Sequence, residues 1–273
     1  MAPEPAVKPA TRRLRFGVRA LMAFVLVVGG GLGWIVYKAR VQHDAVEAIQ
    51  RAGGRVVYDW ESQNHKPWWP KRLADRIGVD YFGSVVSVHL HARPPIQGID
   101  SLMAHVARLD RVESLMLAES RVTDVGLTHL EGLTRLKSLF LQNTRVTDAG
   151  LAHLQRLTGL STLYLHDTLV TDAGLAHLKN LKKLQQLTLY NTRVTDAGLT
   201  HLAGLTDLEF LSLHVTRVGD AGLAHLKGLS RLKELDVCDT QVTKAGREAF
   251  QRARPKTWIV WDLESSQAAM GRR

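Results

Sequence analysis

The sequence predicts a curved α/β solenoid, a horseshoe with parallel strands on its concave side and short helices outside, behind one transmembrane helix. Three observations carry that prediction. A 24-residue unit recurs without gaps from Val122 onward. Within each unit the apolar spacing changes from three to two. Near the N-terminus an 18-residue run, Ala20 to Tyr37, holds no charge.

Residues 1–15 read as a disordered basic tail and 16–38 as an uncleaved signal-anchor helix. Eighteen residues of helix reach about 27 Å, close to the roughly 30 Å hydrocarbon core of a bilayer. Trp34 and Tyr37 stand near one end of the run, where amphipathic rings favour the headgroup level. A cleaved signal peptide is the alternative. Its apolar region is shorter and ends in an A-x-A-like site, whereas this run ends in Lys38-Ala39-Arg40. Residues 1–19 hold five Lys and Arg and residues 38–57 hold four. The positive-inside rule therefore favours a cytoplasmic N-terminus, with the solenoid outside the inner, cytoplasmic membrane.

The net charge of +10 has the same origin, because residues 1–40 alone carry +6. The excess flanks an apolar run instead of coating a folded domain, so nucleic acid is not an expected partner. A single cysteine excludes an intramolecular disulfide scaffold.

Residues 39–97 read as the N-terminal cap. Ala45, Val46 and Ile49 have helical spacing, and Gly53-Gly54 ends that helix. Arg55–Trp60 and Ser84–His91 read as strands. Between them lies Pro67-Trp68-Trp69-Pro70, which spells a chromatin-reader motif by coincidence. Trp68 and Trp69 are expected to cover the first coil. A place on the bilayer surface beside Lys66, Lys71 and Arg72 is the alternative.

The repeats occupy 98–241. Val122 to Arg145 reads VTDVGLTHLEGLTRLKSLFLQNTR, and the unit restarts at Val146, Val170, Val194 and Val218. A degenerate copy precedes them, with Met103, Val106, Leu109, Val112, Leu115 and Leu117 at the apolar positions. Leu127, Leu130 and Leu133 lie three apart, as on one helical face, with Thr123 and Asp124 as N-cap candidates. Leu139-x-Leu141 alternates as a strand does. Gly126 and its equivalents stand in the first helical turn, where they allow close packing of successive coils. One such unit cannot bury enough apolar surface to offset the ordering of its backbone, so the coils must stack. Residues 242–265 form a capping repeat: Lys244 replaces the recurring Asp, while Ile259 and Trp261 stand where the others have Leu-x-Leu. Residues 266–273 are a tail.

This pattern resembles the leucine-rich repeat, L-x-x-L-x-L-x-x-N-x-L, with Thr in the Asn place and Val in the last Leu place. The resemblance covers about residues 85–265. Thr144, Thr168, Thr192, Thr216 and Thr240 are placed to hydrogen-bond the turning backbone. Basic flank, single anchor, GGRVVYD strand and VTDAGLxHL repeats together resemble bacterial membrane-anchored leucine-rich repeat proteins. The repeats are also similar to those of F-box substrate adaptors, but no F-box-like helical module precedes the array.

No GxSxG, HExxH or phosphate-loop motif is present, so neither an enzyme nor a cofactor is expected. His105, His129, His153, His177, His201 and His225 form a column, one per coil. Helix axes lie about 10 Å apart, too far for equivalent imidazoles to share zinc, so the column reads as a helix face and no metal is expected. Cys238 stands alone at an outward strand position.

The concave face is the candidate site. One outward column reads Met116, Phe140, Tyr164, Thr188, Ser212, Asp236; the next reads Ala118, Gln142, His166, Tyr190, His214, Cys238. Phe140, Tyr164, His166, Tyr190, Phe210 and His214 are the candidate anchors for an unidentified protein or peptide. A mixture on a solvated sheet without a ligand, as in an envelope-spacing structural protein, is the alternative. Eight strands and three residues along each give a face of about 340 Å², which suits a peptide better than a standard protein interface of roughly 800 Å² per partner.

Overall fold

The computed structural model describes residues 18–62, 72, 78–90 and 96–262, with side-chain surroundings from residue 29 onward. Pro67-Trp68-Trp69-Pro70 lies outside the described residues. Helix α1, Val18–Arg51, is a single element. It passes through the boundary expected between anchor and cap without a break, because nothing from Lys38 to Gln42 interrupts helical geometry. Among the described residues no helix is long and apolar enough to cross a membrane. Residues 20–28, the first half of the charge-free run, have no described side-chain surroundings.

Among the described residues nine strands form one sheet in chain order. They are β1 Arg55–Tyr58, β2 Val85–His89, β3 Ser114–Met116, β4 Ser138–Phe140, β5 Thr162–Tyr164, β6 Gln186–Thr188, β7 Phe210–Ser212, β8 Glu234–Asp236 and β9 Trp258–Val260. β1 pairs with β2 antiparallel, and every later pair is parallel. β1 is shorter than the expected Arg55–Trp60, because the helical turn α2, Asp59–Ser62, takes over at Asp59. From β3 onward the register is the repeat itself: Leu115, Leu139, Leu163, Leu187, Leu211, Leu235 and Ile259 lie side by side.

The outer layer is built from very short helices. After α3, Ile99–Val106, come α4 Asp124–Leu127, α5 Asp148–Leu151, α6 Asp172–Leu175, α7 Asp196–Leu199, α8 Asp220–Leu226 and α9 Lys244–Ala253. Three of the four-residue helices continue into a 3₁₀ turn, Thr128–Leu130, Ala152–Leu154 and Ala176–Leu178. The leucine spacing of three has its physical reason there, since a 3₁₀ helix has three residues per turn.

Thr123, Thr147, Thr171 and Thr195 cap these helices, each side chain accepting from the N–H two residues on. The following Asp has a larger task than the helix dipole. Asp124 accepts from the backbone N–H and the hydroxyl of Thr147 in the next coil, at 2.8 and 2.6 Å. Asp100, Asp148, Asp172 and Asp220 do the same for the Thr one coil on. The ladder stitches coil to coil along the convex side. The recurring glycine makes room for it: a Cβ on Gly174 would collide with Asp148 and approach Leu151 to 3.0 Å.

The chain leaves each of β3 to β8 through one left-handed residue. Glu119, Asn143, Asp167, Asn191, Val215 and Asp239 have φ between 50° and 56°. The next position is the buried Thr column: Thr144, Thr168, Thr192 and Thr216 donate to the carbonyls of Leu141, Leu165, Leu189 and Leu213 at 2.5–2.6 Å. Thr therefore closes the turn that leaves each of these strands. The core is a continuous leucine column, with Leu127, Leu139, Leu151, Leu163, Leu175 and Leu187 all at 0% exposure.

The ends are closed differently. Ala45, Val46 and Ile49 of α1 are buried in the same core as Ile99, Leu102 and Met103 of α3. Gly53, at φ 87°, ends α1. Asp80, buried, gathers the cap: it accepts from the Tyr58 hydroxyl at 2.8 Å, and His43 Nδ1 lies 2.9 Å away. At the other end Phe250 of α9 is buried, and the Arg247 guanidinium lies 4.0 Å from the centre of the Trp261 ring. Trp261, expected in a Leu place, is more than a third exposed and forms part of the end surface.

Candidate concave recognition surface

Parallel pairing at a constant register places residues 24 apart beside each other, so outward columns become rows across the sheet. Phe140 and Tyr164 meet edge to face with ring centroids 5.1 Å apart. Tyr164 lies 6.1 Å from His166, His166 stacks on Tyr190 at 4.0 Å, and Tyr190 lies 6.2 Å from His214. Five of the six sequence-predicted anchors therefore form one unbroken row of rings over four coils. Phe210 belongs to a different column, between Gln186 and Glu234, toward the start of the strands.

Polar partners fix the rings. His166 Nδ1 lies 2.8 Å from the hydroxyl of Thr188, which is buried in the floor of the face. The Tyr164 hydroxyl donates to Gln186 Oε1 at 3.1 Å. Burial lowers the His166 pKa below its ordinary value, with a smaller opposing effect from Asp167. The imidazole is thus neutral at neutral pH, one nitrogen donating and one accepting. Burial and the Asp167 carboxylate raise the pKa of Tyr190, which keeps its hydroxyl protonated. Such a row offers flat, weakly polar ring faces held in place before anything binds, with neutral hydrogen-bonding groups between them.

Beyond His214 the face changes character. Ser212 donates to Asp236 Oδ2 at 3.0 Å, and the Cys238 N–H donates to Asp236 Oδ1 at 3.1 Å. His214 Nδ1 lies 3.1 Å from the Cys238 carbonyl oxygen. Burial and then Asp236 push the Cys238 thiol up to about 12, so this half-buried sulfur is not a nucleophile at neutral pH. In sequence Cys238 stands without a neighbouring cysteine or histidine. The signal that finds its neighbours is the 24-residue offset, which sets His214 beside Cys238 and Ser212 beside Asp236.

The convex histidines do not come together as a site. His153 Nδ1 lies 2.7 Å from Glu131 Oε1, and His177 Nδ1 lies 3.2 Å from Gln155 Nε2, each a contact to the preceding coil. The Asp80 cluster escaped sequence reasoning altogether, because its members come from an aperiodic segment.

No family model matches the chain, and no curated protein matches it. Solved structures do. Internalin C2 from Listeria monocytogenes matches with a TM-score of 0.51 at 25% identity, over 69% of this chain and 77% of that one. An internalin from the same organism gives a TM-score of 0.48 at 22% identity, over 71% and 63%. A leucine-rich repeat protein from Leptospira interrogans gives 0.44 at 18%, over 58% and 45%. The sheet of parallel strands with short helices matches the solenoid of a leucine-rich repeat protein.

Proposed function

We propose that the chain is a non-catalytic, membrane-tethered recognition module that binds a protein segment or peptide on its concave face. The unbroken row from Phe140 to His214 carries the reading. Aromatic anchors concentrate binding energy at interfaces, and rings already fixed in one arrangement lose little freedom on binding. The small area of the face favours an extended peptide over a broad protein surface.

Residues 20–37 supply the tether as a single pass through the inner membrane, with the solenoid outside the cytoplasm. Leu32, Trp34, Ile35 and Tyr37 support it: all four are at least half exposed, apolar surface that the protein leaves uncovered.

Panning a random peptide display library on the purified full chain tests the recognition reading. A convergent peptide motif is expected, and combining Phe140→Ser, Tyr164→Ser and Tyr190→Ser abolishes its enrichment without loss of the folded circular-dichroism spectrum. No convergent motif, or the same motif on the folded triple variant, overturns the reading in favour of a structural role. A C-terminal tag digested in cells with an opened outer envelope and an intact inner membrane supports the orientation; protection there reverses it.

A further inference from the structure

We infer that His214, Asp236 and Cys238 form a binding site for a zinc-type divalent cation at the C-terminal end of the concave face. One ring nitrogen, one carboxylate oxygen and one sulfur from these residues all lie within 4.8 Å of one another. Among the described residues, this is the one group of three or more such donors at that spacing. A tetrahedral zinc, with sulfur at about 2.3 Å and nitrogen or oxygen at about 2.0–2.2 Å, holds its donors roughly 3.4–3.7 Å apart. To reach that spacing, donors within 4.8 Å of one another must draw together by up to about 1.4 Å.

The donor types are chemically specific. Imidazole, carboxylate and thiolate on one ion suit zinc and its neighbours in the transition series, whereas calcium and magnesium take oxygen sets. The donors are also pre-positioned. Asp236 is held by the Ser212 hydroxyl and the Cys238 N–H, and the His214 ring sits against the Cys238 carbonyl. Supporting contacts of this kind orient metal ligands and raise affinity. Asp239 adds a carboxylate 3.7 Å from His214 Nδ1. On binding, the Cys238 thiol releases its proton to solvent and the sulfur becomes the thiolate ligand. Three protein donors leave one tetrahedral position for water or for a donor of a bound molecule.

The inference does not rest on the recognition reading, because the probe is the metal alone. The full chain, purified in detergent and freed of metal, is titrated with zinc by calorimetry and with cobalt by absorption spectroscopy. The expected result is one tight equivalent of zinc and a sulfur-to-cobalt charge-transfer band. Cys238→Ser abolishes the band, and Asp236→Asn and His214→Gln each weaken zinc at least tenfold. Glu131→Gln, at the convex His153 contact, leaves binding unchanged. His214→Gln keeps the thiol and Asp236 contacts, so it reads the site even if another variant fails to fold. Absence of a tight equivalent, or one that is equal in the wild type and the folded variants, overturns the site.

Discussion

Val215 occupies a backbone position that its repeat equivalents give to Asn, Asp or Glu, at φ 52°. A β-branched side chain in the left-handed region costs about 1–2 kcal/mol, whereas Asn visits it routinely. Val215 is 42% exposed, so the turn gains little from its burial. Val215→Asn, copying Asn143 and Asn191, is expected to stabilise the chain by about 1 kcal/mol in denaturant unfolding. His166 gives a prediction of opposite character. Its folded pKa lies below that of the unfolded chain, mainly through burial. The unfolded state therefore binds the proton first, and stability falls as pH drops below about 6.5 toward the folded pKa. His43 runs the other way. Its hydrogen bond to Asp80 raises the folded pKa, so its contribution is present below about 6.5 and is lost as pH rises through the raised value. The thermal midpoint of His166→Phe is accordingly expected to fall less than that of the wild type between about pH 7 and pH 5.

At the scale of the element, the coil-to-coil seam is the feature that a single unit does not reveal. The leucine columns and the Thr column were legible because each position recurs five times with one period. The Asp ladder was not: Asp124 stands where a helix dipole favours an acid, and that local reason hid the bond to Thr147 in the next coil. The cap was legible only in outline, because β1, α2 and the Asp80 cluster occur once and carry no period. Gly174→Ala tests the seam. The added methyl meets Asp148 and Leu151, so either the ladder or the coil spacing must yield, at about 1–3 kcal/mol. Gly132→Ala, with nothing within 4 Å of the new methyl, is the matched control and is expected to change denaturant stability little.

Across the whole molecule, the repeat does two separate jobs with the same period. The inward columns are nearly invariant and build a rigid frame. The outward columns vary from coil to coil, and parallel register turns that variation into a surface that passes from aromatic to mixed histidine, acid and thiol. Which residues share the outward columns was legible once the repeats were aligned; how they touch was not, because ring contacts depend on rotamers that a period does not specify. The most direct measurement is photocrosslinking in intact cells, with a photoreactive amino acid placed at Tyr164 on the concave row or at His201 on the convex side. A discrete crosslinked species from position 164 and none from position 201 is the expected result. No discrete species at 164, or the same species from both positions, would contradict recognition by the concave face.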